Sequence, residues 1–148
     1  MTQEDKELLL KDLCARLPYG VKVYVKNWSN LSRKYYEGVY TVKSTHPSLN
    51  TVLACSNKCC IEVIVGYYDY YIKPYLFPLS SITDEQKYTC PIGVANLETF
   101  IKNESWTYLE LTPDSILCFI DWLNKNHFDY RGLIEKDLAI DATELNIY

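Results

Sequence analysis

Two histidines, five glycines and one methionine are all that this chain of 148 residues holds of those types, and the shortages exclude several kinds of chemistry. The glycines are scattered, and neither G-x-G-x-x-G nor G-K-[ST] occurs, so the common glycine-rich phosphate cradles are missing. His46 and His127 are the only imidazoles, and neither stands in a local signature for a Cys–His nucleophile pair. Paired C-x-x-C knuckles, which make a zinc site legible, are lacking too. No apolar run approaches the ~20 residues that a membrane-spanning helix needs, the longest being the interrupted stretch from Ile116 to Leu123. There is no basic excess: 15 Lys and Arg face 19 Asp and Glu, a net charge of -4, which opposes the broad positive footprint of a protein that grips long nucleic acid. These absences predict a protein that is not an enzyme, carries no cofactor or metal, and engages neither membrane nor long nucleic acid.

What is present suits one domain. Apolar residues make up 48% and charged residues 23%, enough to bury a core and to stay in solution. The charged opening Thr2 to Glu7 is unlike a secretory segment, so the expectation is a cytoplasmic protein whose six cysteines are reduced thiols. Cys118 is expected in the core. The 14 tyrosines either pad a sheet or form a recognition surface, since tyrosine combines a broad apolar face with one hydroxyl.

Periodicity and punctuation predict an α+β fold. Thr2 and Asp5 imitate a capping box ahead of a helix over 3–16 with Leu9, Leu10, Leu13 and Leu17 at helical spacing, and Pro18-Tyr-Gly20 stops it. Alternation over Val21–Lys26 marks a strand with Val21, Val23 and Val25 on one face, followed by turn formers at 27–32 and a second strand over 38–43. His46–Asn50 is a turn, and 51–55 with 59–65 read as a hairpin whose second arm is apolar enough to be central. Pro74 and Pro78 make 67–78 an aromatic loop or an edge strand. Ser81 or Thr83 starts a short helix that Cys90-Pro-Ile-Gly93 ends; a weak helix over 97–101 and a strand over 106–111 follow. Thr112-Pro-Asp caps a helix over 113–125 whose buried stripe is Ile116, Phe119, Ile120 and Leu123 with Trp122 on its flank, and 132–141 reads as one more short helix. The expected architecture is a strongly bent antiparallel sheet of about five strands, with the N-terminal helix and the C-terminal helices packed on one face. Its core comprises Leu9, Leu13, Val23, Val25, Val63, Val65, Ile116, Phe119, Ile120 and Leu123.

Two aromatic-basic groupings are the candidate binding residues. One is Tyr67, Tyr68, Tyr70, Tyr71, Lys73 and Tyr75; the other is Lys26, Trp28 and Arg33, beside Lys22, Lys34, Tyr24, Tyr35 and Tyr36. Rings that stack on a base and cations that meet a phosphate suit a nucleotide or a similar small anion, with stacking worth about 1–3 kcal/mol per base. The expected function is sequestration of such an anion; a lysine-rich strand face is also ordinary edge protection, and the alternative function is docking of the aromatic 67–78 segment on a protein. Enclosing a small ligand with so short a chain favours a homodimer with the site at its interface. Cys55, Cys59 and Cys60 form the densest thiol cluster, and Asp121, Asp129, Glu135 and Asp141 are the carboxylates from which an unrecognised small hydrolase would have to be built.

Three segments, Asp5–Val21, Ile72–Ser81 and Asp121–Lys136, together resemble a family of small proteins without an assigned activity, encoded by gut Bacteroidales and their phages and prophages. The resemblance implies no fold and no site residue. It does imply a setting, in which small phage proteins without catalytic motifs act on host proteins or sequester host signals, including the cyclic nucleotides of anti-phage immunity.

Overall fold

The computed structural model describes residues 1–29, 33–67, 70–103, 109 and 111–148. Helix α1 (Gln3–Arg16) begins at the expected box: the Thr2 hydroxyl accepts the Asp5 N–H and the Asp5 carboxylate accepts the Thr2 N–H. After a short 3-10 turn the chain reverses at Gly20 in left-handed backbone (φ 65°) and enters β1 (Lys22–Ser29). The meander continues through β2 (Lys34–His46), β3 (Thr51–Cys55) and β4 (Cys60–Ile64), each antiparallel to the last. Strand β5 (Tyr70–Pro78) returns to pair antiparallel with β1. Helices α2 (Asp84–Thr89), α3 (Val94–Asn103) and α4 (Pro113–Lys125) follow, and two short strands, β6 (Phe128–Asp129) and β7 (Ile140–Asp141), both run parallel to β5.

The fold is α+β, and its sheet is mixed and seven-stranded, ordered β4-β3-β2-β1-β5-β6 with β7 also on β5. The sheet is bent: β4 and β5 stand four places apart in the strand order, about 19 Å in a flat sheet, yet they lie against each other. The turn after β4 passes beneath α1 at Gly66 (φ 78°), where a Cβ would fall 2.1 Å from the Lys6 Cε.

Several expectations are corrected. β1 runs on through Asn27 and Trp28, because pairing with Tyr35 and Tyr36 of β2 overrides their turn propensity. β4 is an edge strand: Ile61 and Val63 point inward while Cys60, Glu62 and Ile64 are exposed, a one-sided pattern that needs cover on a single face. β5 is flanked on both sides despite its prolines, since Pro74 is the last residue paired with β1 and β7 begins at Tyr75, so the missing N–H falls at the handover. Cys55 and Cys60 stand opposite each other in the β3–β4 register and form a disulfide, which leaves Cys14, Cys59, Cys90 and Cys118 as thiols. No helix forms over 132–141; the Asp129 carboxylate instead accepts the N–H groups of Arg131, Leu133 and Ile134 and ties the segment into a turn. The strand expected over 106–111 lies mostly outside the described residues.

Two large cores result. Leu9, Leu10 and Leu13 of α1 pack on the inward residues of the bent sheet, Val23, Val25, Val42, Val52, Val63, Val65 and Ile72 among them. The second core gathers Leu97, Phe100, Phe119, Trp122, Leu123 and Phe128 beyond the end of β5. Here α4 is rotated from the expected stripe: Trp122 is buried and donates its indole N–H to Thr89, Ile116 and Ile120 are half-buried, and Cys118 is exposed. The cause is the aromatic partner set, Phe119 edge-on to Phe100 and Trp122 tilted on Phe128, which wins over the aliphatic stripe.

An ion pair with no exposed side-chain surface joins the two cores. Arg16 donates from Nε and Nη2 to Asp12 (2.7 and 3.0 Å), and Nη2 also reaches the Phe128 carbonyl (2.8 Å). Arg131 approaches the same carboxylate at 3.2 Å. Removing one member of such a cluster leaves buried charge uncompensated, typically at a cost of 3–5 kcal/mol. Asp12→Ala is therefore expected to lose about that much in urea unfolding, with Asp12→Leu plus Arg16→Met recovering most of it; a single-variant loss under about 1 kcal/mol would sink this reading.

Candidate functional site

Alternation along β1, β2 and β5 sends Val23, Val25, Val42 and Ile72 into the core and the next residues outward, onto a face that no helix covers among the described residues. Register then decides the neighbours. Across β1–β5, Tyr24 stands opposite Lys73 and Lys26 opposite Tyr71; across β1–β2, Lys26 stands opposite Glu37 and Trp28 opposite Tyr35. The two sequence groupings thus meet on one surface. The Tyr24 and Tyr71 rings meet edge-on at 5.9 Å, the Lys26 Nζ lies 5.9 Å over the Tyr35 ring, and the Lys73 Nζ lies 5.0 Å over Tyr71.

The predicted residues separate by position. Trp28 (43% exposed), Tyr71 (41%) and Lys26 lie open on this face with Tyr35 (49%) and Val39 (43%). Tyr67 is exposed just after β4, and Tyr75 is buried at the other end of β5, where burial raises its phenol above the ordinary range. Arg33 is exposed at the start of β2 in left-handed backbone (φ 51°). Tyr70 takes the register position opposite Asn27, and Tyr68 lies outside the described residues.

Local bonds set the charge on the face. The Tyr24 hydroxyl donates to Glu37, and that bond pushes its pKa up to about 12, so the phenol stays protonated. Lys26 is raised chiefly by its hydrogen bond to Tyr35. Burial pulls Lys73 down, but its bonds to Asp137 and Tyr71 outweigh that and leave it raised. All three groups keep their ordinary charge at neutral pH. A shallow groove of about 460 Å³ borders the face, with Lys22, Thr41, Ser56, Asn57 and Lys58 among its walls.

The face ends at Tyr148. The β1–β5 ladder stops at Val23 and Pro74, and the Tyr148 hydroxyl takes over, accepting the Lys22 N–H (3.2 Å) and donating to the Tyr75 carbonyl (2.9 Å). The ring stacks on His127 at 4.0 Å with Phe77 at 5.8 Å. His127 is buried in left-handed backbone (φ 58°), and its Nδ1 has no hydrogen-bond partner. Burial first, then the charges of Arg16 and Lys22, lower its pKa to about 4.

The sequence reading did not single out Asp12, Arg16, Tyr130 or Arg131. Tyr130 donates to Asn124 and accepts from the Arg131 Nη2, which sits beside a cavity of about 500 Å³. The one available signal was the spacing of Asp12 and Arg16 on the same helical stripe as Leu9 and Leu13. The four candidate carboxylates are not assembled into one site. Asp121 accepts the Tyr19 hydroxyl, Asp129 its three backbone donors, Asp141 accepts from Thr143, and Glu135 is exposed. Among the described residues no group of His, Cys, Asp and Glu is placed to hold a metal, and no helix is long and apolar enough to cross a membrane.

No family model, curated protein or solved structure matches the chain.

His127 makes a pH prediction. Its folded pKa lies below the unfolded value of 6.5, so as pH falls the unfolded chain takes up the proton first, and stability declines from about pH 6.5 to about pH 4 before levelling. Asn tolerates the same left-handed backbone and does not titrate. Thermal midpoints measured from pH 7 to 4 should fall more steeply for the parent chain than for His127→Asn, and parallel curves would contradict a buried neutral imidazole.

Proposed function

We propose that this chain is a non-enzymatic binding protein whose open β2–β1–β5 face docks an acid-bearing segment of a partner protein, a host protein in the phage setting that the resemblance implies. The observation that carries this reading is the in-register meeting of Tyr24, Trp28, Tyr35 and Tyr71 around Lys26 on a face that no helix covers among the described residues. Rings of this kind are the commonest energetic anchors of protein interfaces, and a rigid strand holds them at little entropic cost. Charge complementarity selects the partner. The chain carries -4 overall, yet on this face Lys22 and Lys26 outnumber Glu37, while Lys73 is buried and paired with Asp137, so the face favours carboxylates locally.

A second reading is sequestration of a small anion such as a nucleotide by a cytoplasmic homodimer. The bordering groove favours it, because Lys22 and Lys58 flank Thr41, Ser56 and Asn57 in a volume suited to a small ligand. The open face argues for the protein partner, since one chain does not enclose the rings that would clamp a base.

Panning a displayed peptide library on the protein separates the two. Acidic peptides should be enriched, their affinity should fall with salt, and Tyr71→Ala and Lys26→Glu should each weaken binding about tenfold or more. Selected peptides without acidic residues, or peptides indifferent to both substitutions, would overturn the proposal. Calorimetry with cyclic di- and trinucleotides and ADP-ribose supplies the other arm: saturable binding lost in Tyr71→Ala would replace the protein partner with the nucleotide.

A further inference from the structure

We infer that the cavity beside Arg131 is a binding site for a small organic anion, a carboxylate or phosphate monoester with a short apolar body. Three separate segments wall it: the turn after β5 with Leu79 and Ser80, helix α3 with Phe100 and Ile101, and the loop after β6 with Arg131 and Ile134. Its volume of about 500 Å³ falls in the range of small-molecule sites, and its lining combines apolar walls with three charged groups, Arg131, Asp129 and Glu135.

Arg131 is fixed and largely dehydrated. Its side chain is 17% exposed, its Nη2 donates to the Tyr130 hydroxyl (2.7 Å), its Nε lies 3.2 Å from Asp12, and its guanidinium sits 4.7 Å over the Tyr130 ring. None of these contacts uses Nη1. The pairing is also unbalanced. Arg16 and Arg131 share the single carboxylate of Asp12, the Nε of Arg131 has no well-formed hydrogen bond, and neither has the Nη1 of Arg16. The guanidinium of Arg131 therefore keeps donor capacity that no protein acceptor takes up. Asp129 also lines the cavity, but its oxygens are turned to the backbone N–H groups of Arg131, Leu133 and Ile134, and Glu135 is exposed to water at the rim. An anion against Arg131 supplies the missing acceptor, and an apolar body on Leu79, Ile101 and Ile134 leaves water with it.

The site is independent of the sheet face, and its test distinguishes the two. Hexanoate, hexyl phosphate and hexanol are titrated into the protein while the amide resonances of Gly132 and Ile134 are followed. Hexanoate or hexyl phosphate should saturate at roughly millimolar concentration, as befits a ligand of so few atoms. Hexanol should bind at least about tenfold more weakly, since it cannot form a charge-assisted bond. Preference between the two anions identifies the headgroup. Arg131→Met should lower the affinity about tenfold or more; because Arg131 also touches Asp12, Ser80→Trp at an exposed position serves as the second variant and should block the cavity with the fold intact. Tyr71→Ala should bind hexanoate like the parent chain. Equal binding of hexanol and hexanoate, absence of saturation, or unchanged affinity in Ser80→Trp would each overturn the assignment.

Discussion

The constraint on which the molecule turns is one buried carboxylate. Asp12 has no exposed surface and faces two guanidiniums, and water is not at hand to replace either partner. Dehydrating an ion pair costs several kcal/mol per charge, so the cluster persists only because its geometry is close: two bonds from Arg16 to Asp12 and a third to the Phe128 carbonyl. That third bond matters most for the architecture. Leu9 and Leu13 on the same helical stripe belong to the sheet core, whereas Phe128 belongs to the aromatic core, so a single arginine sets the angle at which the two meet. A leucine stripe could slide by a turn at modest cost. A stripe containing a forked, charge-assisted bond cannot, which is the kind of specificity that a buried ion pair contributes here.

With α1 and β6 fixed, β5 is held from both sides. It pairs antiparallel with β1 as far as Pro74 and then parallel with β7 and β6, so its outward residues inherit their positions from both partners. The Tyr148 hydroxyl bridges the place where the β1 ladder ends, and burial pushes its pKa up to about 12, keeping it a donor across the whole physiological range. The residue is 43% exposed as a whole, yet its hydroxyl end is inserted between strands. The facing pairs of Tyr24 with Lys73 and Lys26 with Tyr71 thus rest on a sheet closed at this end by a side chain.

This arrangement explains which parts were legible in the sequence. Local codes were readable: the Thr2–Asp5 box, the alternation of Val21, Val23 and Val25, and the Thr112-Pro-Asp start of α4 all depend on neighbours within one turn or one strand. Features set by distant partners were not. The rotation of α4 follows from Phe100 and Phe128, the turn at 132–141 from Asp129, the disulfide from the register of Cys55 with Cys60, and the position of β5 from a proline that falls between two partners. The candidate site divides the same way. Strand parity puts Tyr71, Lys73 and Tyr75 on one face, but only the register brings that face against Tyr24 and Lys26. Arg131 carried no sequence signal, because its role comes from a carboxylate far away in the chain.

The two positively charged places differ physically, and the difference assigns them to different ligands. Lys26 lies in contact with water, bonded to the equally exposed Tyr35, and its charge is screened beyond about 8 Å at physiological salt. Such a cation steers an approaching surface and adds little to the final affinity, most of which has to come from the rings around it. Arg131 is planar, buried along most of its length and held by an aromatic ring and a carboxylate, so it presents directed donors without paying for hydration or rotamer loss when an anion arrives. A broad face of rings with a hydrated charge matches a macromolecular surface, whose many weak contacts average over small misfits. A walled cavity with one dehydrated guanidinium matches a small anion, for which a single well-placed bond decides between binding and none. The face follows from strand register, whereas the cavity depends on the buried carboxylate of Asp12, which leaves Arg131 donors for a ligand by giving its closest bonds to Arg16.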